Sequence, residues 1–182
     1  CQNKHPQNRK KKNRHCAEVI VNKTLRIGLI TVIGAFMLAI MPLPDWAIAY
    51  RPDWVTLVLI YWAMAYPTRV GVTIAWFAGL LLDVSYGTLM GQHAVGMVFV
   101  IFVIHKQHQR LRVASLMQQA VVIFFLLLFK QTLTLWVDGM LGRAPDSWLF
   151  FMPTITSTLL WPWTYLILRD LRRKFSVVKH QY

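Results

Sequence analysis

The sequence has few charged residues and very few acids. Of its 182 residues 15% are charged, and only seven are Asp or Glu, whereas a soluble domain carries about 25% charged residues. Cysteine is scarce too: Cys1 and Cys16 are the only two, without CxxC spacing, and we expect both to be reduced and unpaired. These shortages exclude an ordinary cytosolic enzyme and a disulfide-rich secreted module.

Long apolar runs dominate the chain, which is 56% hydrophobic. A helix that spans a bilayer needs about 20 mostly apolar residues. Six candidate runs cover residues 25–43, 54–66, 70–86, 89–104, 113–137 and 148–168. No period-2 alternation is present, so helices are favoured over a membrane barrel. The run 54–66 covers about 20 Å, so it must borrow flanking residues or thin the bilayer.

The basic residues lie at the ends of the apolar runs. With six spans and a cytoplasmic N-terminus, seventeen of the twenty Lys and Arg residues fall inside the cell and five of the seven acids fall outside. This is a strong positive-inside pattern. We therefore predict an all-α integral membrane protein with six transmembrane helices and both termini in the cytoplasm. Nucleic-acid binding is not expected, because it needs Lys and Arg on a soluble face with stacking aromatics.

Three regions follow from this distribution. Residues 1–22 are predicted to form a basic, disordered leader, which we interpret as an inert tail or a non-native addition rather than as a contact with anionic lipid. Residues 23–176 form the six-helix transmembrane domain, and 177–182 form a cytoplasmic tail. We expect the other cytoplasmic Lys and Arg residues to touch anionic lipid.

Small residues recur at four-residue spacing through the third run and just beyond it. On a helix this spacing forms one stripe, and small residues in it allow a second helix to approach closely. Internal packing between this chain's own helices is favoured over docking of a partner helix. The stripe contains Gly71, Ala75, Gly79, Asp83, Gly87 and Gly91.

Asp83 interrupts this stripe, and a carboxylate at membrane depth is a functional candidate. The simpler interpretation is that it accepts hydrogen bonds from the next turn, residues 85–87. Ion or proton transport is not expected, because no helix offers a second buried acid.

Other polar groups are expected to have structural roles. Lys130 lies within the fifth run, where its stem allows it to extend toward the outer interface, and Gln131 adds a hydrogen-bonding group between helices. Asp53 is expected to cap the second helix, and Arg51 to pair with an acid of the outer loops.

No catalytic or metal-binding pattern is apparent. The pair His105 and His108 is interpreted as part of a solvated basic loop, since a metal site needs more ligands. The sequence has no Ser/His/Asp set, no HExxH, no Gly-rich phosphate loop and no paired catalytic carboxylates. We therefore expect no enzyme activity, no cofactor and no bound metal.

Several runs together resemble one family, the bacterial rod shape-determining protein MreD of the proteobacterial type. The resemblance covers about residues 22–176 and rests on RPDWVTLVLIYW (51–62), PTRVG (67–71), GLLLDVSYG (79–87), GQHA (91–94) and LLWPW (159–163). The positions that match the family are Arg51, Asp53, Pro67, Arg69, Gly71, Gly79, Asp83, Gly87 and Gly91.

The resemblance implies a membrane scaffold rather than an enzyme. It implies a multi-pass protein of the inner membrane that binds MreC and is linked to MreB, RodA and the cognate transpeptidase in lateral-wall peptidoglycan synthesis. It also implies a fold similar to the substrate-binding subunit of energy-coupling-factor transporters. The alternative function is therefore a small-molecule-binding subunit of a transporter, which would need a polar cavity open to the outside.

Overall fold

The computed structural model describes residues 26–42, 44, 47, 50–67, 70–142 and 148–177. In these ranges the chain forms six α-helices and no β-strand, which confirms the all-helical prediction. The helices are α1 (Arg26–Ile40), α2 (Trp54–Ala65), α3 (Val72–Tyr86), α4 (Gln92–Val113), α5 (Leu116–Met140) and α6 (Met152–Val177), and a 3-10 turn (Trp148–Phe151) precedes α6. The leader 1–22, Arg69 and residues 178–182 lie outside the described ranges.

Local sequence signals set several helix ends. Asp53 caps α2, because its Oδ1 accepts the backbone N–H of Thr56 at 3.3 Å, and the predicted cap is confirmed. Ser115 begins α5 with a reciprocal capping box to Gln118. Gly87 ends α3 at φ 63°, a left-handed conformation that glycine adopts without strain.

Two helices extend further than the apolar runs predicted. α4 continues to Val113 and α6 to Val177. The interpretation of 105–112 as a loop was therefore wrong: His105 and His108 lie within α4, where the His108 ring Nδ1 contacts the carbonyl of His105 at 2.7 Å. Hydropathy falls at these positions, but Lys, Arg and Gln are good helix formers and continue the helix beyond the apolar segment.

The short helix α2 lies at the centre of the bundle. Ten of its 12 residues are buried, and it packs against both α4 and α6. α1 lies beside it, with the Trp62 indole N–H donating to Thr31 Oγ1 at 2.9 Å. Because protein surrounds α2, it does not need the length of a helix that faces lipid.

The outer surface of the bundle is apolar. Large hydrophobic side chains are exposed on every helix except α2, including Ile30 on α1, Phe77 on α3, Phe102 on α4, Phe125 on α5 and Ile167 on α6. By length and composition, one described helix, α5, is long and apolar enough to cross a membrane by itself. α1, α2 and α3 are apolar but shorter, so they reach across a bilayer only with their flanking residues.

The helix ends gather at two poles of different charge. At the basic end, the end of α2 (Ala65), the end of α4 (Arg112), the start of α5 (Gln119) and the late turns of α6 (Arg172) line one cleft. At the acidic end, defined by Asp53, Asp83 and Asp138, polar side chains join the opposite ends of the helices.

Candidate functional site

A buried lysine lies among three other helices at the acidic end. Lys130 on α5 is 4% exposed. Its ammonium donates to the carboxylate of Asp53 and, at 2.9 Å, to the hydroxyl of Thr56. The backbone N–H of Asp53 donates in turn to Ser157 Oγ on α6 at 2.8 Å. These four residues, here called the lysine cluster, bond α5 to the start of α2 and the start of α2 to α6.

The stem of Lys130 is also closely packed. A Cβ added at Gly96 on α4 would lie 2.7 Å from the Lys130 Cγ, so a side chain at position 96 would displace the lysine. The stem of Lys130 thus extends toward the acidic end, but its ammonium ends on Asp53 and Thr56 and is not exposed to solvent. Its cation remains inside the bundle because Asp53 neutralises it there and Thr56 accepts a further hydrogen bond.

A second cluster surrounds Asp83, which is 1% exposed. Its carboxylate accepts the backbone N–H groups of Gly91 and His93, both at 2.8 Å. It also accepts the hydroxyl of Thr88 at 3.0 Å, and its Oδ1 lies 2.9 Å from the His93 ring Nδ1. The Asp83 cluster thus caps the N-terminus of α4 from the preceding helix, where the free N–H groups and the helix dipole favour an anion.

The predicted donors to Asp83 were wrong. Ser85 donates to the carbonyl of Leu81 at 2.7 Å, and Gly87 donates to the backbone carbonyl of Asp83, not to the carboxylate. The carboxylate instead accepts from Thr88 and from residues 91–94, because the α3–α4 turn brings the next helix back onto it.

The small-residue stripe has several roles in the structure. Ala75 is fully buried, and a Cβ added at Gly79 would lie 2.2 Å from the Cα of Ala94, so α3 and α4 are in backbone contact there. Gly71 precedes α3, and Gly87 and Gly91 form the α3–α4 turn with positive φ. The stripe therefore combines one close helix contact with three helix termini.

Two further motif positions, Arg51 and Pro67, lie next to helix ends. Arg51 donates to the carbonyls of Leu38 and Met41, at 3.2 and 2.8 Å, and its guanidinium carbon lies 6.0 Å from the centre of the Tyr86 ring. It therefore holds the C-terminus of α1 rather than forming the expected ion pair in the contacts that the structure describes. Pro67 lies in the turn after α2.

Two glutamines add links between elements. Gln131 Nε2 on α5 donates to the carbonyl of Phe150 at 2.8 Å, which agrees with a bonding role. Gln92 Nε2 on α4 donates to Asp138 Oδ1 on α5 at 3.0 Å. Sequence reasoning missed Gln92, although a glutamine in the first turn of a membrane helix, facing an acid near the end of another, is a signal for such a bond.

The polar contacts at the acidic end join the helices of the bundle to one another. The two fully buried charged side chains of the described residues, Asp83 and Lys130, both bond to other segments of this chain. Within the same ranges, no group of three or more His, Cys, Asp or Glu residues is placed to hold a metal ion. An apolar exterior with bonded polar groups inside is the arrangement of a helical membrane protein.

Comparisons with known proteins identify the family of membrane proteins to which the chain belongs. A family profile described as "rod shape-determining protein MreD" matches residues 21–171. The rod shape-determining protein MreD of Haemophilus influenzae is 30% identical over 151 residues, which are 81% of this chain and 93% of that protein. The chain therefore belongs to the MreD family of rod shape-determining proteins, and the resemblance found in the sequence is confirmed. No solved structure matches it significantly.

Proposed function

We propose that this chain is a six-helix, multi-pass scaffold of the bacterial inner membrane that takes part in lateral-wall peptidoglycan synthesis. In this proposal it binds MreC within the membrane and is linked through it to MreB, RodA and the cognate transpeptidase. Membership of a family that determines rod shape supports the proposal.

The observation that carries the scaffold role is the internal engagement of the buried charges. Lys130 and Asp83 are bonded within the chain, so the bundle is held by its own polar contacts. Gly79 is already packed against Ala94, so it is not available to a partner helix. We infer that the small-residue stripe serves internal packing and that a partner must use the apolar exterior.

The distribution of charge supports the orientation. The basic end contains Lys106, Arg110 and Arg112 in the last turns of α4 and the basic segment 169–174 in the late turns of α6. The opposite end contains Asp53, Asp83 and Asp138. Basic residues are retained on the cytoplasmic side. We therefore place the basic end and both termini in the cytoplasm, with residues 23–176 as the transmembrane domain.

A groove on the outer half of α5 is the surface we propose for the helix of MreC. It is an open surface depression of about 530 Å³ along one face of α5, lined by Leu135, Trp136, Gly139 and Met140 together with Thr132. Trp136 is 64% exposed, and a Cβ at Gly139 would meet nothing within 4 Å. Since helices in lipid associate by packing around small residues, Gly139 offers a point of close approach.

The fold relation to energy-coupling-factor subunits remains part of the proposal, but the cavities lined by the described residues give the transporter alternative no support. The polar cavity at the acidic end, between Asp53 and Ser157, has about 10 Å³, which is roughly the space for one water molecule. A larger polar cleft lies at the basic end, which faces the cytoplasm in this orientation.

The test is complementation and co-purification in a rod-shaped host depleted of its own MreD. We expect this chain to restore rod shape and to co-purify with MreC. Gly139→Leu should reduce co-purification about tenfold and round the cells, because the added side chain fills the groove at a cost of roughly 1–3 kcal/mol.

Gly34→Leu is the matched control. Gly34 is also exposed within a helix, and a Cβ there meets nothing within 4 Å, but it lies on α1. If both variants retain MreC equally, the α5 groove is not the binding surface. If the unmodified chain neither restores shape nor retains MreC, the scaffold proposal itself is wrong.

A further inference from the structure

The basic end contains a cleft of about 170 Å³ between four helices. A single water needs about 10–15 Å³ by the same measure, so the cleft has room for a larger polar group. Its polar lining consists of Tyr61, Arg112, Gln119, Tyr165 and Arg172. No carboxylate is among the described residues that line it.

The cleft is positively charged. Arg112 comes from the last turn of α4 and Arg172 from the late turns of α6, so two arginines from different helices line the cleft. Arginine donates through a planar fork that matches the oxygens of a phosphate. The charge and the shape of these donors favour a phosphate group as the ligand.

A buried hydroxyl without a partner adds independent evidence for a ligand. Tyr61 is 3% exposed, it lines the cleft, and its hydroxyl has no hydrogen-bond partner among the described residues. Buried polar atoms are normally paired, so an unpaired hydroxyl beside a cleft requires an explanation. A phosphate oxygen accepting from this hydroxyl would supply the missing bond.

The neighbouring side chains hold the cleft in shape. The Tyr165 ring packs edge-on against the Tyr61 ring, with centroids 5.6 Å apart. Gln119 donates to the carbonyls of Leu111 and Ala114 and accepts from the Trp161 indole N–H. Because the amide of Gln119 is already engaged, it acts as a fixed wall, and Arg112, Arg172 and Tyr61 remain as the ligand-binding groups.

We propose that this cleft binds the phosphate group of an anionic membrane lipid in the cytoplasmic leaflet. The lipid source rests on the proposed orientation, which places the basic end at the level of cytoplasmic headgroups. Basic pockets between membrane helices on this side bind anionic headgroups, and tyrosines are enriched at the same level. The lipid would bridge α4 and α6 through the two arginines.

The test is lipid binding by the full chain purified in a neutral detergent without partners. Short-chain phosphatidylglycerol, short-chain phosphatidylcholine and inorganic phosphate are each titrated, and the bound fraction is measured by native mass spectrometry. We expect phosphatidylglycerol to bind most tightly. Arg172→Gln should weaken its binding about tenfold, since a charge-assisted hydrogen bond is lost, and Tyr61→Phe should weaken it severalfold.

Arg173→Gln is the matched control, because it removes the same charge from the adjacent exposed position on α6. Equal losses in Arg172→Gln and Arg173→Gln would overturn the site in favour of diffuse attraction. Unchanged binding in Tyr61→Phe, which removes only a hydroxyl and should fold normally, would overturn the role of Tyr61 and with it the cleft. Binding of inorganic phosphate without phosphatidylglycerol would overturn the lipid source.

This outcome can be separated from that of the scaffold proposal. Lipid binding is measured on the isolated chain, whereas the scaffold role is measured by cell shape and by retention of MreC. A chain that restores rod shape but binds no anionic lipid refutes the cleft proposal alone.

Discussion

Lys130 and Asp53 are 77 positions apart in the sequence, and the lysine ammonium donates to the aspartate carboxylate inside the helix bundle. The pair joins the middle of α5 to the cap of α2, and Ser157 extends the link to α6. Removing either partner leaves the other charge without its counter-ion inside the bundle. The pair explains why a basic residue, Lys130, lies within a helix, which the positive-inside pattern does not account for.

Replacement of Lys130 by Met should destabilise the protein by about 2–3 kcal/mol, because it leaves Asp53 without its cation. The expected loss of stability is smaller than for a fully buried ion pair, because the Asp53 side chain is 24% exposed. The measurement is unfolding of the purified chain by denaturing detergent. The double variant Lys130→Met with Asp53→Asn should recover part of the loss.

Lys174→Met is the control for Lys130→Met, because Lys174 lies exposed in the last turn of α6. We expect it to change stability by less than about 0.5 kcal/mol. Additive losses in the Lys130 and Asp53 single variants, with no recovery in the double variant, would show that the two residues do not interact.

Asp83→Ala should weaken the start of α4 by about 1–2 kcal/mol, because the backbone N–H groups of Gly91 and His93 lose their acceptor. Asp83→Asn should cost less, since an amide oxygen still accepts. Hydrogen exchange of the amides of residues 91–94 is the measurement, and exchange should become faster in Asp83→Ala.

Asp170→Ala is the comparison for the Asp83 variants, because Asp170 is exposed on α6. It should leave exchange at residues 91–94 unchanged. Protection that persists in Asp83→Ala would mean that the α4 terminus is held by other groups.

Gly79→Ala should lower the amount of folded protein strongly. Its Cβ would lie 2.2 Å from the Cα of Ala94 and 2.7 Å from the Ala94 backbone nitrogen, and a backbone cannot move aside as a flexible side chain does. Overpacking of this kind costs about 1–3 kcal/mol or more. The measurement is the yield of monodisperse protein together with its unfolding midpoint.

Gly71 belongs to the same small-residue stripe as Gly79. Gly71→Ala therefore tests whether the four-residue spacing or a close backbone contact makes glycine necessary at a position. A Cβ at Gly71 would meet nothing within 4 Å, and its φ is −96°, so alanine should be tolerated. If Gly71→Ala and Gly79→Ala are equally harmful, the backbone contact with Ala94 is not the reason for glycine at position 79.

Reporter fusions test the orientation. A fluorescent protein that matures only in the cytoplasm should be active after residue 177, and a periplasmic alkaline phosphatase should be active when inserted between residues 87 and 91. The reason is the retention of Lys and Arg on the cytoplasmic side. A phosphatase that is active at the carboxyl end would reverse the orientation and remove the cytoplasmic position of the basic cleft.

Much of the helical layout could be predicted from sequence. Six apolar runs correspond to the six α-helices of the described ranges, and the cap at Asp53 was predicted from local chemistry. The ends of α4 and α6 could not be predicted from hydropathy, because helix formation continues through Lys, Arg and Gln after the apolar segment has ended.

The candidate site was only partly predictable. Two charges within apolar runs, Asp83 and Lys130, are conspicuous in the sequence because a buried charge needs a polar partner. Gly79 is conspicuous because a glycine within such a run allows another helix to approach closely. Which neighbour it is depends on how the helices pack, so Asp53, His93 and Ala94 were not identified as their partners.

By itself the amino-acid sequence determined the class of protein, the number of helices, the asymmetry of charge and the family, because all of these are properties of composition and order along the chain. Tertiary structure alone decided that α2 is the central helix, that Lys130 bonds to Asp53, and that Tyr61, Arg112 and Arg172 line one cleft. The physical reason is that hydrogen bonds and ion pairs act over a few ångströms, and only packing brings residues so distant in sequence within that range.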